Sequence, residues 1–216
     1  MTEYFPPLPT ELVPIYCDDA IIVVDKPSGL LSVPGRGPGK EDCMASRVQA
    51  EFSDALIVHR LDMSTSGLMV FARGSEHHRT LSMDFAARRV DKRYVAVVAG
   101  IPAKARGEID LPLITDWPNR PRQMVDFERG KPSLTRFEVI SGTCGDDHSR
   151  LLLEPVTGRS HQLRLHLWAI GHPILGDELY GDVAARAPRL LLHACRLALQ
   201  HPVNGRRLEF ASLAPF

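Results

Sequence analysis

The chain has 216 residues, a hydrophobic share of 44%, and Lys+Arg and Asp+Glu balanced at 26 each. That is the composition of a soluble globular protein, and a zero net charge gives nucleic acid no global attraction; such a partner would need a local basic face. No stretch is long and apolar enough to span a membrane, and residues 1–14 lack the basic start and apolar core of a signal peptide. The scattered Cys17, Cys43, Cys144 and Cys195 form no C-x-x-C pair, which argues against a zinc ribbon or disulfide framework and fits a reducing cytoplasm.

Residues 1–14 are proline-rich and read as an extended arm. Ile15–Cys17 and Ala20–Val24 read as paired strands, Lys26-Pro27-Ser28-Gly29 as a break, and Leu30–Val33 as a resumed extended run. Gly35–Lys40 is a mobile basic loop without P-loop spacing. Met44, Val48 and Phe52 repeat at helical spacing, so Cys43–Phe52 is expected to be helical. Leu56–Val58 is extended. Ser75 is a candidate cap for a helix to about Arg89, with Arg88 and Arg89 suiting its negative end. Val90–Gly100, Arg106–Leu113, Leu134–Ile140 and Arg150–Leu153 read as strands, with residues 142–147 a loop between the last two. The loop 115–121 contains Trp117, and the basic residues Arg120, Arg122, Arg129 and Lys131 follow with Phe127 among them, a composition that suits a nucleic-acid surface. Ser160 is a candidate N-cap for a helix closed by Gly171, and Arg164 falls on or near its buried face, where a guanidinium needs a carboxylate. Leu190–His193, Leu197–Leu199 and Leu208–Phe210 close the chain as short strands. Nothing divides residues 15–216, so one domain is expected.

The most informative stretch is His59-Arg60-Leu61-Asp62-Met63-Ser64-Thr65-Ser66-Gly67 followed by the apolar run Leu68–Ala72. A polar cluster leading into a core strand is where a rigid element presents chemistry, although a charged surface loop has the same composition. Together with Lys26-Pro27-Ser28-Gly29-Leu30-Leu31, Lys92-Arg93-Tyr94, Gly158-Arg159-Ser160-His161-Gln162-Leu163-Arg164 and Gly171-His172-Pro173-Ile174-Leu175-Gly176-Asp177, this stretch resembles the RluA-type pseudouridine synthase family, motif after motif in order.

The resemblance implies an α+β fold: one catalytic domain with a mixed, mostly antiparallel sheet and a central cleft flanked by helices and loops, without the S4 domain that many relatives carry. It implies an isomerase that converts uridine to pseudouridine in RNA without metal or cofactor. The short form resembles members acting on 23S rRNA and the tRNA anticodon loop, with a monomer expected. By match to the motifs, Asp62 is the catalytic carboxylate, Arg164 its charge partner and Tyr94 the group facing the base. His59, Arg60, Thr65, Arg159, His161, Arg120 and Arg122 are expected along the RNA, with Arg60 filling the space of the flipped-out uridine. Attack on the sugar, addition to the base and elimination all remain open for Asp62. A non-catalytic RNA-binding protein on the same scaffold is the alternative. A glycosidase-like hydrolase fits less well, since only one candidate carboxylate is found where two are usual.

Overall fold

The computed structural model describes residues 4–140 and 147–216; most of the loop expected at 142–147 lies outside them. In chain order the strands and helices are β1 (Tyr16–Cys17), β2 (Ile21–Lys26), α1 (Met44–Glu51), β3 (Ala55–Ile57), β4 (Ser66–Arg73) and α2 (Gly74–Ala86). There follow β5 (Asp91–Ala99), β6 (Arg106–Asp110), β7 (Leu113–Thr115), β8 (Gln123–Val125), β9 (Leu134–Val139) and β10 (His148–Pro155), then α3 (Gln162–Ala169), β11 (Leu192–Gln200) and β12 (Arg207–Ala211). Every strand pair registered below is antiparallel, which confirms the α+β expectation. No helix is long and apolar enough to cross a membrane. The chain divides into two compact units, Met1–Asp91 with Ala194–Pro215, and Lys92–His193 with Phe216.

In the first unit β2 pairs with β1 and along β4, from Ile21 opposite Ala72 to Lys26 opposite Gly67. β3 joins β4 at Ala55–Ile57, and β12 pairs with β11 from Arg196 opposite Ala211. Ile21, Val23, Leu68, Val70, Ala72, Leu81, Leu197 and Phe210 form its core. All but the last residue of β4 are buried, which is why this strand reads as a continuous apolar run and not as an alternation. Gly67 has φ +116, and a Cβ there would lie 2.4 Å from the carbonyl oxygen of Ala194. Only glycine permits that approach. Ahead of β1, residues 4–14 form no regular element, as expected of an arm. They are tied down by Tyr4, whose hydroxyl donates to the Asp42 carbonyl (3.0 Å), and by the Pro7 carbonyl, which accepts from Arg47 (2.6 Å).

In the second unit the strand order is β5-β10-β9-β6, with β7 and β8 a separate hairpin. Ala96, Val98, Leu151, Leu153, Leu163, Leu167 and Ile174 make the core between sheet and α3. On the wet face of this sheet, Arg136 meets Glu108 at 2.8 Å and Glu154 at 3.3 Å, and Arg106 pairs with Glu138. Cross-strand pairing of that kind neutralises the face, which therefore offers phosphate no net attraction.

Local expectations fail where backbone conformation or a distant side chain replaces the cap read from sequence. Helix α2 starts at Gly74, with Arg73 and not Ser75 as N-cap, because Gly74 turns the chain at φ +74 and donates its N–H to Asp54 (3.0 Å). It ends at Ala86, so Arg88 and Arg89 lie beyond it; Arg88 is left-handed (φ 60) and Arg89 binds Asp84 through Nε (2.9 Å). The N-cap of α3 is His161, not Ser160. No side chain caps α3; Gln162 instead folds back over the preceding turn, its Oε1 accepting from the Arg159 N–H (3.0 Å) and the Thr157 hydroxyl (2.7 Å). Leu30–Val33 forms only an isolated bridge, Leu31 with Cys43. The segments 190–193 and 197–199 belong largely to one strand, β11, because pairing with β12 carries it through the polar Arg196.

Candidate active site

The loop between β3 and β4 holds His59, Arg60, Asp62 and Thr65, and residues 26–32 clamp it. Lys26 ends β2 with its side chain fully buried. Its ammonium donates to the carbonyls of Pro27 (2.9 Å), Leu30 (2.7 Å) and Met63 (3.0 Å). The Gly29 N–H also donates to Met63 (2.9 Å), and the Ser28 hydroxyl donates to the Ser64 carbonyl (2.7 Å). Ser32 donates to the Leu61 carbonyl (2.6 Å) and accepts the Leu61 N–H (3.1 Å). Within the loop the Asp62 carbonyl accepts the Thr65 N–H at 3.1 Å. The carbonyls of residues 61–64 are therefore all hydrogen-bonded, and the backbone that carries Asp62 is fixed on both sides of it.

Asp62 itself is half-buried and Arg60 is exposed. His59 is turned inward: its Nε2 accepts the Val70 N–H (3.0 Å), and its ring stacks on Phe85 with centroids 4.6 Å apart. It fills a gap beside β4. Thr65 is 2% exposed and closes the turn, so its place in the structure is internal and not an open RNA contact.

In the second unit α3 buries every residue from Gln162 to Leu167. Arg164 (4% exposed) forms a two-point pair with Asp177 (1% exposed), Nε to Oδ2 and Nη2 to Oδ1, both 2.7 Å. Asp177 Oδ1 also accepts the N–H groups of Leu179 (2.8 Å) and Tyr180 (3.1 Å). The buried guanidinium's need for a carboxylate, which the sequence argument assigns to Asp62, is met within this unit by Asp177. Gly176 makes the turn possible: at φ +74, a Cβ would lie 1.9 Å from the Arg189 carbonyl oxygen.

Tyr94 is half-buried on β5, opposite Leu153, and packs against the core cluster. Two residues earlier, burial lowers the pKa of the Lys92 ammonium, which sits within 3.8 Å of where a Cβ on Gly158 would be. Arg159 is half-buried, with Nε donating to the Pro132 carbonyl (3.3 Å). On the β7–β8 hairpin, Trp117 is 65% exposed with the Arg120 guanidinium 4.5 Å above its ring, an arrangement suited to stacking a base beside a phosphate. Arg122 is drawn inward, 5.8 Å from the Trp168 ring and 5.5 Å from the Tyr180 ring. Arg129 is tied to Asp126 (3.1 Å), which removes it from the free positive surface.

Three contributors escape the sequence argument. Lys26 stands in a quoted motif, and its burial would show only as a cation closing the apolar run Ile21–Val24. Asp177 ends a quoted motif beside a second carboxylate, Glu178, and nothing local marks it as the partner of Arg164. Tyr180 gives no pattern of its own.

The first unit thus presents one carboxylate on a loop with hydrogen-bonded carbonyls, and the second holds a buried arginine and a basic aromatic hairpin. The sequence profile of the RNA pseudouridylate synthase family matches residues 20–169, and the chain belongs to that family. Among curated relatives it is 50% identical over 218 residues to the dual-specificity RNA pseudouridine synthase RluA of Escherichia coli (strain K12), covering 100% of this chain and 99% of that one. The protein of the same name from Pasteurella multocida is 47% identical over the same coverage. Among solved structures, human RNA pseudouridylate synthase domain containing 1 superposes with a TM-score of 0.78 at 30% identity, over 95% of this chain and 84% of that one.

Proposed function

We propose that this protein isomerises uridine to pseudouridine in both 23S rRNA and the tRNA anticodon loop, in the cytoplasm, as a monomer and without a cofactor. Near-full-length similarity to curated dual-specificity synthases carries the reading, and the retained Asp62, Tyr94 and Arg164 support it. The target uridine leaves its stack, and Arg60, exposed beside Asp62, takes the vacated space. Asp62 assists cleavage of the N1–C1′ bond, either at the sugar or at the base. The base turns and C5 bonds to C1′. Tyr94, stacked on the base, removes the C5 proton while N1 regains one, so atoms balance without an added reactant. Arg164, held by its two-point pair with Asp177, is the buried cation of the proposed site. The hairpin carrying Trp117 and Arg120 and the Arg159–His161 segment hold the RNA through stacking and phosphate contacts.

Pseudouridine mapping of rRNA and tRNA from cells lacking the gene tests this. The expected result is loss of a modified position in each RNA, restored by the intact gene. Loss in only one class overturns dual specificity.

A further inference from the structure

The reading above leaves unused a fully buried aromatic in the second unit. Tyr180 is 0% exposed and touches both β8 and the start of α3. Its hydroxyl accepts the N–H of Gln123, the first residue of β8, at 2.7 Å. The same oxygen lies 2.9 Å from Nδ1 of His161, the N-cap of α3. A phenol has one proton and two lone pairs, so one oxygen serves both partners. Its ring lies 5.4 Å from the Arg164 guanidinium and 5.5 Å from that of Arg122, and its own N–H is held by Asp177, the residue that pairs with Arg164.

His161 shows what this contact maintains. It is a non-glycine residue at φ 53, a conformation that persists only when its surroundings impose it. The Tyr180 hydroxyl and the edge-on ring contact (centroids 5.8 Å apart) supply part of that imposition. Arg122, between the Trp168 and Tyr180 rings, has a buried Nε with no hydrogen-bond partner among the described residues. Ring faces therefore hold it, and Tyr180 is one of the two.

We infer that Tyr180 is a positioning residue: its hydroxyl locks the β7–β8 hairpin to the start of α3, so that the hairpin's Trp117–Arg120 surface and the Arg159–Arg164 segment meet one RNA in fixed register. This rests on the proposed reading of both as RNA-facing. Packing alone would need the ring but not the hydroxyl.

The test is Tyr180→Phe, which keeps the ring and its contacts with the arginines, together with Arg120→Ala and the double variant, assayed by tritium release from uridine-labelled RNA. Loss of the hydroxyl is expected to raise KM about five- to tenfold with kcat within about twofold, as the breaking of neutral hydrogen bonds that align the substrate would do. Arg120→Ala is expected to raise KM on the parent but to add less than about twofold in the Tyr180→Phe background. Melting temperatures of all variants establish that folded protein is compared. An unchanged KM in Tyr180→Phe, or effects that simply multiply in the double variant, overturns the coupling. If Arg120→Ala still raises KM in that case, the hairpin remains RNA-facing; if Arg120→Ala is silent as well, both readings fall.

Discussion

Replacing Lys26 with Met keeps the length of the buried stem and removes the ammonium. Three carbonyls then lose a charged donor, those of Pro27, Leu30 and Met63. The Met63 carbonyl keeps the Gly29 N–H, so Pro27 and Leu30 bear the loss. At about 1–3 kcal/mol for each acceptor left unsatisfied, Lys26→Met is expected to destabilise the protein by about 2–6 kcal/mol. Methionine avoids the desolvation of an ammonium, which favours the lower half of that range. Against a typical stability of about 5–15 kcal/mol, the variant remains folded at low temperature. Its activity should fall further than its stability implies, because Met63 directly follows Asp62, and a shift of about 1 Å at a reacting group can cost about a hundredfold in rate. Urea unfolding measures the first effect, and tritium release at a temperature where the variant is folded measures the second. A stability loss under about 1 kcal/mol together with near-parental turnover would refute the view that Lys26 holds the Asp62 loop.

Gly67→Ala places a methyl group 2.4 Å from a backbone carbonyl of Ala194 at φ +116, so a loss of at least about 3 kcal/mol or failure to accumulate folded protein is expected, read by urea unfolding and soluble yield. Asp177→Asn leaves the Arg164 guanidinium underpaired in a site where the two are 4% and 1% exposed; about 3–5 kcal/mol should be lost, and adding Arg164→Met should recover much of the stability without recovering turnover. Burial lowers the pKa of His166, outweighing the opposing effects of the Leu111 carbonyl and Asp110. Its folded form is neutral, with Nε2–H donating to Leu111 (3.1 Å) and Nδ1 accepting from Thr135 (2.9 Å). The unfolded chain then binds the extra proton, so this contribution is complete above the ordinary value of 6.5 and is lost as pH falls below it. Melting temperature followed from pH 8 down to pH 5 should drop less steeply in His166→Asn than in the parent; equal slopes would remove His166 from the acid sensitivity.

Strand periodicity and apolar runs located most elements, because burial writes itself into local sequence. Leu68–Ala72 and the alternation of β10 are two cases. Helix starts were less legible. Ser75 and Ser160 look like caps, but α2 begins at a left-handed glycine and α3 after a turn fixed by a folded-back glutamine, with no side-chain cap at either. The same division holds in the site. The motif residues could be named from sequence, yet the partner of Arg164 found in its own unit is Asp177, thirteen positions away in a glycine-bounded turn. His59 and Thr65 are polar residues in a polar loop, and only tertiary contacts reveal that the first caps a strand N–H and the second closes a buried turn. Arg122 reads as a free cation in the sequence, whereas the structure stacks it between two rings.

The central claim is that Asp62, held at the surface of a hydrogen-bonded loop, carries the isomerisation. Tritium release from 5-tritiated uridine in a tRNA anticodon stem-loop, compared between the parent and Asp62→Asn at equal folded concentration, tests it most directly. Release by the parent and none by the variant are expected, with closely similar urea midpoints. Release by Asp62→Asn at the parental rate would contradict it.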